Sequence, residues 1–340
     1  MPFLDILLGK PLATSDERAE QIATSTGIPI FGLDALSSAA YGPEAALTLL
    51  IPLGAAGVAY ILPVSISIIV LLTIVYFSYR QTIAAYPGGG GSYTVASENL
   101  GTFPGLMAAA ALMIDYVLVV AVGISAGVGA LISAVPSLQP HTLSLCLGIL
   151  VVITIVNLRG VREAGIVFML PTYLFVGSLL VAIAIGLTKT VLAGGHPMAV
   201  VAPPAPASAI VATATAWLLL QVFSNGCTAM TGVEAVSNGV KAFRDPTVRN
   251  AQRTLTVIIG LLIVLLAGIA YLIRAYGIAA TDPGAPGYQS VLSMLVAAVM
   301  GRGWFYYVTI GSVLVILSLS AKTAFADFPR LCRAVAQNSF

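Results

Sequence analysis

Charge is what this chain has least of. Asp, Glu, Lys and Arg make up 8% of its 340 residues, against roughly 25% in a soluble globular domain. With 59% hydrophobic residues and a mean hydropathy of +1.00, the chain reads as an integral membrane protein. Cysteine is scarce too: Cys146, Cys227 and Cys332 offer neither a disulfide framework nor metal-ligand spacing. No nucleophile–base pair or metal cluster stands out, so an enzyme is not expected, nor a cofactor. No short cleavable leader precedes the first apolar run. Residues 1–26 form a polar tail, and the first span would serve as an uncleaved insertion signal. The formal charge of +2 carries no information on nucleic acid. Where the charges lie matters more, and no nucleic-acid partner is expected.

Long hydrophobic runs fill the rest. At about 20 residues per crossing, eight spans are predicted, over 27–52, 56–79, 104–135, 142–158, 163–188, 208–240, 251–276 and 303–325. Short helices are expected around 93–100 and 286–299. The runs at 104–135 and 208–240 are too long for straight perpendicular helices, so tilt or breakage is expected there. With the N-terminus inside, twelve of the fifteen basic residues fall on the cytoplasmic side: Lys10, Arg18, Arg80, Arg159, Arg162, Lys241, Arg244, Arg249, Arg253, Lys322, Arg330 and Arg333. Lys189, Arg274 and Arg302 remain outside. This excess agrees with the positive-inside rule. It predicts a multi-pass inner (plasma) membrane protein with a cytoplasmic tail over 1–26 and one transmembrane domain over 27–340. The Pro/Ala-rich 196–208 segment reads as an external loop.

Against this background, acidic residues inside the spans stand out. The segment Gly32–Glu44 interrupts the first span with Asp34, two serines, two glycines and a proline. A second interruption, Ser224–Glu234, follows about two hundred residues later. A carboxylate at membrane depth is costly, and helix breakers there need protein or a cavity to satisfy the freed backbone groups. Two broken helices in comparable places mark the binding site of a secondary transporter.

Two readings of Asp34 stand: an interfacial cap on a late-starting helix, or a carboxylate facing a cavity. Tyr41 lies seven positions on, two turns of a continuing helix, so its hydroxyl would face the same space. Gly42-Pro43 would restart the helix with proline at its N-terminus, directing partial positive charge into the break. Asp115 has about ten apolar or small residues on either side and cannot easily snorkel to an interface. It is either a structural hydrogen-bond partner for a neighbouring helix or a site residue. Val119 and Gly123, on its face at i+4 and i+8, bring no oxygen side chain. Thr231 and Glu234, three apart, would share a helical face. Glu234 is either a proton carrier or a pin that holds the break by accepting backbone donors. Glu44 would lie near the outer end of the broken helix, and Lys322 would snorkel toward the cytoplasm.

The run Tyr86–Tyr93, with four consecutive glycines, lacks the strand and lysine of a phosphate-binding loop. It is expected to be a re-entrant turn packed against the broken helices, forming part of a cytoplasmic gate. Small residues such as Gly123–Gly127 suit close helix packing. Lys241, Arg244, Arg249 and Arg253 suit a topogenic loop in contact with lipid headgroups.

Taken together, these residues resemble the amino acid–polyamine–organocation superfamily, and within it the KimA-type potassium transporters of the KUP family. The resemblance runs through FGLDALSSAAYGPEA (31–45), YPGGGGSYTVASENLG (86–101), LMIDYVLVVAVG (112–123), GCTAMTGVEAVSNGVKAFRDP (226–246) and TAFADFPRL (323–331). It implies an all-α LeuT-like fold with inverted repeats, the first over 27–188 and a partial second over 208–340, and with helices one and six broken. By the same resemblance Asp34, Tyr41, Asp115 and Thr231 match positions around a potassium site, and Glu234 matches the acidic position associated with proton coupling. This sequence departs from the family pattern at Val119 and Gly123, where hydroxyl side chains are usual, and at Lys322, where a neutral amide is expected. The chain also stops short of the ten or more core helices the fold implies, which suggests a partial sequence.

The function expected is proton-coupled potassium uptake by alternating access. The alternative is a proton-coupled amino acid permease, favoured by the room and the missing oxygens at Val119 and Gly123, or a transport-inactive fragment of either. A membrane scaffold or receptor leaves the buried acids unexplained. The partners expected are potassium or an amino acid, protons, the bilayer and a second copy of the chain.

Overall fold

Apolar sequence forms long helices here, since a helix satisfies its own backbone polar groups in lipid. The computed structural model describes residues 22–158, 166–206 and 212–337. Most of the 1–26 tail lies outside the described residues, with Lys10 and Arg18. So do Arg159, Arg162 and the first residues of the spans predicted from 163 and from 208. Six stretches are long and apolar enough to cross a membrane: Ile51–Ala85, Thr102–Ala134, Pro136–Leu158, Phe168–Leu192, Thr247–Tyr276 and Trp304–Gln337. The first and sixth predicted spans are absent from this group because each is cut into short pieces. Among the described residues no strand forms; an isolated bridge pairs Ile22 with Phe243.

The first span is α1 (Thr24–Phe31), α2 (Leu33–Ser37), a 3-10 turn at Ser38–Ala40 and α3 (Gly42–Thr48). After it come α4 (Ile61–Ala85), a short α5 (Ser92–Leu100), α6 (Thr102–Ala134), α7 (Thr142–Leu158) and α8 (Ile166–Leu192). The second broken span is α9 (Ala216–Gly226), a 3-10 turn at Cys227–Met230 and the four-residue α10 (Ala235–Asn238). The remaining helices are α11 (Thr247–Tyr276), α12 (Val291–Met300) and α13 (Trp304–Gln337).

Burial ranks these elements. α11 is the central helix, with Ile258, Leu262, Leu265 and Ile269 buried against α1, α4 and α8. α13 lies along α6, while α9 packs on α3 and α4. α7 buries none of its residues and presents Leu143, Leu147, Val151 and Val152 outward, as a lipid-facing helix does. The run expected to tilt or break at 104–135 is one continuous helix of 33 residues. That is about 50 Å at 1.5 Å per residue, longer than a hydrocarbon core of about 30 Å, so tilt or protrusion accommodates it.

The two ends of the bundle are distinct. Gln252 Nε2 donates to the Arg80 carbonyl at 2.9 Å, which places the start of α11 beside the end of α4 and the glycine run. At the opposite end Gln139 Nε2 donates to the Ala285 carbonyl at 3.1 Å, which joins the 136–141 turn to the segment after α11.

Candidate functional site

Both breaks have local causes. Proline at 43 cannot donate an N–H, so the helix restarts there, with Tyr41 left at φ −120° outside helical geometry. In the second span Thr231 is extended (φ −61°, ψ 152°) and Gly232 is left-handed at φ 71°. The two breaks lie against each other. Ser38 Oγ donates to the carbonyls of Ala35 and Ala229, each 2.7 Å away, and Asn225 Nδ2 donates to the Ala45 carbonyl at 2.6 Å. Gly42 touches Ala229 so closely that any side chain would collide with it.

At this junction the Tyr41 hydroxyl and Thr231 Oγ1 are 3.1 Å apart, sharing a hydrogen bond. Asp34 sits beside them on Gly232; a Cβ built on that glycine would fall 2.6 Å from both Asp34 Cβ and Oδ2. Asp34 is 8% exposed, caps no helix, and its Oδ1 is buried without a hydrogen-bond partner. The interfacial-cap reading is therefore corrected: this carboxylate is inside the protein.

Asp115 is half-buried on α6 and makes no hydrogen bond to a described residue. It lies close enough to Asp34 and Glu234 to repel both. Val119 and Gly123 are both buried. The space expected at Gly123 is filled by α13: the Leu317 carbonyl and Ser320 Oγ lie 3.3 and 3.5 Å from where its Cβ would be. The extra room inferred from the sequence is absent there, and two oxygens of α13 occupy that face.

Thr231 and Glu234 do not share a helical face, because the residues between them are not helical. The left-handed Gly232 turns the chain, sending Thr231 to Tyr41 and Glu234 to the glycine run. Glu234 Oε2 accepts from Ser92 Oγ at 2.6 Å, Tyr79 Oη at 3.2 Å and the Ser92 N–H at 3.4 Å. Its Oε1 accepts from Asn238 Nδ2 at 3.3 Å and Tyr116 Oη at 3.4 Å. Ser92 opens α5, so the carboxylate also meets the positive end of that helix. Gly90 N–H donates to the Ser237 carbonyl at 3.1 Å, and Gly91 abuts Asn238. The glycine run is thus packed against the second break, as expected.

The sequence reading missed Ser38, Tyr79, Ser92, Tyr116 and Asp327. Hydroxyls at membrane depth beside an acid were the available signal for Tyr116. Asp327 repels Asp34 and Glu234 and is paired with Arg330 Nη1 at 3.1 Å. Lys322 has its ammonium 5.7 Å from the centre of the Phe168 ring, in the first turn of α8.

Paired broken helices whose exposed backbone and acids converge in a helical membrane bundle define a secondary-transporter architecture. Residues 29–340 match the family model described as amino acid permease, and the chain belongs to that family. Its fold is accordingly the LeuT-like fold of the amino acid–polyamine–organocation superfamily, and permeases are not enzymes. The chain is 41% identical over 337 residues to "Potassium transporter KimA" of Bacillus subtilis (strain 168), covering 98% of this chain. It spans 54% of that protein's length.

Proposed function

We propose that this chain forms the core of a multi-pass plasma-membrane transporter that takes up potassium with protons by alternating access. The observation that carries the reading is Asp34 Oδ1, buried without a donor beside the Tyr41–Thr231 oxygen pair. A buried ionised carboxylate left unpaired is very costly. A cation whose hydration shell is replaced by these oxygens offsets that cost. Asp34, Tyr41 and Thr231 form the centre of the ion site in this reading, with Asp115 adding negative charge from α6.

Glu234 is the proton-coupling group. As a carboxylate it holds Ser92, Tyr79, Tyr116 and Asn238 by accepting. A proton on it adds a donor among donors, which weakens its grip on the glycine run and couples protonation to that gate. The N-terminus and the glycine-run end face the cytoplasm, by the distribution of basic residues. The inverted repeats run over 27–188 and from 208 onward, and the protein pairs as a homodimer.

Potassium at Asp34 is favoured over an amino acid because α13 closes the space at Gly123 that an organic substrate would use. The test is expression of the full-length protein in a strain lacking potassium uptake. Growth at low potassium is the expected outcome. A well-expressed protein that fails to restore growth but accumulates a labelled amino acid overturns potassium in favour of the permease.

A further inference from the structure

Glu44 belongs to neither cluster just described. It stands in the first turn of α3, the half of the first span beyond the break. Its Oε1 accepts from the Tyr288 hydroxyl at 2.6 Å, and its Oε2 accepts from the Val291 N–H at 3.1 Å. Val291 opens α12, so the carboxylate also meets the positive end of that helix. Tyr288 and Val291 end the segment that crosses this end of the bundle after α11.

That segment is anchored to α6 and the 136–141 turn without Glu44. Ser290 N–H donates to Ser133 Oγ at 2.8 Å, and Gln139 Nε2 donates to the Ala285 carbonyl. Toward α3, the hydrogen bonds among the described residues are the two to Glu44. Beneath the segment Leu47, one turn along α3 and 2% exposed, faces Ala279 and Ala280 across a void of about 10 Å³. This is at the lower limit of what one water needs, so Leu47 packs closely under the segment.

We propose that Glu44 is a positioning residue that latches the far half of the broken first helix to the 277–291 segment and α12. Opening of this end breaks both of its hydrogen bonds, while the segment's ties to α6 stay intact. The latch rests on the alternating-access reading above, and its test needs no substrate.

The test uses the full-length protein with all its native cysteines replaced, Cys146, Cys227 and Cys332 among them. A single reporter, Leu47→Cys, is labelled by a membrane-impermeant maleimide in intact cells and in inside-out vesicles. A second reporter, Val236→Cys, is 1% exposed and lies near the opposite end. Glu44→Ala is expected to raise labelling at Leu47→Cys about tenfold from one face only, with Val236→Cys unchanged. Tyr288→Phe keeps the carboxylate and the Val291 bond, and is expected to give a smaller rise. Labelling within about twofold of the parent in both variants overturns the latch. An equal rise at Val236→Cys overturns it as well, because it shows general loosening. If Glu44→Ala is not recovered folded, Tyr288→Phe decides alone. Loss of the potassium reading would leave these labelling rates unaffected.

Discussion

A carboxylate oxygen buried without a donor is destabilising unless something positive meets it, and Asp34 holds one at the junction of both breaks. In the proposed ion site, function and stability therefore pull Asp34 in opposite directions. Asp34→Asn keeps the side-chain volume and removes the charge. Its KM for potassium should rise at least about tenfold, the equivalent of about 1.4 kcal/mol, while the melting temperature of the protein without potassium stays equal or rises. Uptake at low potassium compared with the unaltered protein, and thermal unfolding of the purified protein, measure the two halves. Unaltered KM would return Asp34 to a structural role. The sequence made Asp34 and Tyr41 legible because a charge and a hydroxyl in an apolar run have few reasons to be there. It did not reveal that Gly232 is the floor on which Asp34 rests. That contact depends on a left-handed residue at φ 71° in a span about two hundred positions away.

At the scale of elements, the four residues Thr231–Glu234 separate two sites that a continuous helix would have merged. Both acids and the glycine run were visible in the sequence, and the packing of the run on the second break was expected. Their partners were not visible, because helical spacing projects Thr231 and Glu234 to one side and the extended Thr231 sends them apart. The same loss of helical geometry gives Glu234 five hydrogen bonds, from Ser92 Oγ and N–H, Tyr79, Tyr116 and Asn238. Glu234→Gln preserves the shape and presents an amide N–H₂ where one carboxylate oxygen accepted, so part of the nest meets a donor with a donor. Potassium accumulation driven by a proton gradient should be abolished, with some potassium exchange retained and its pH dependence flattened. Transport assays in proteoliposomes at a series of external pH values measure this. Unchanged pH dependence removes Glu234 from coupling and leaves it as the pin of the glycine run.

For the whole molecule, hydrophobic length was enough to find the six long apolar helices among the described residues, because apolar runs of about 20 residues have few alternatives to a membrane helix. Length was not enough to tell which long run breaks. The 104–135 run contains Gly105, Gly123, Gly127 and Gly129 yet stays one helix, with α13 packed against Gly123 and Gly127, Ser97 against Gly105 and Tyr288 against Gly129. The second broken span opens at Cys227–Glu234, around the extended Thr231 and the left-handed Gly232. Handedness in the membrane is the remaining global property, and charge decides it. The end holding Arg80, Lys241 and Arg253 also holds the glycine run, while Arg302 lies with the 277–290 segment at the other end. The positive-inside rule turns this asymmetry into an orientation. In intact cells, Asp282→Cys, exposed in the 277–290 segment, should react with an impermeant maleimide. Lys241→Cys, equally exposed at the other end, should react only after the membrane is permeabilised. The reverse pattern would place the glycine run outside. It would make Glu44 the inner latch and Glu234 the group facing external protons, so this measurement assigns each gate to its side of the membrane.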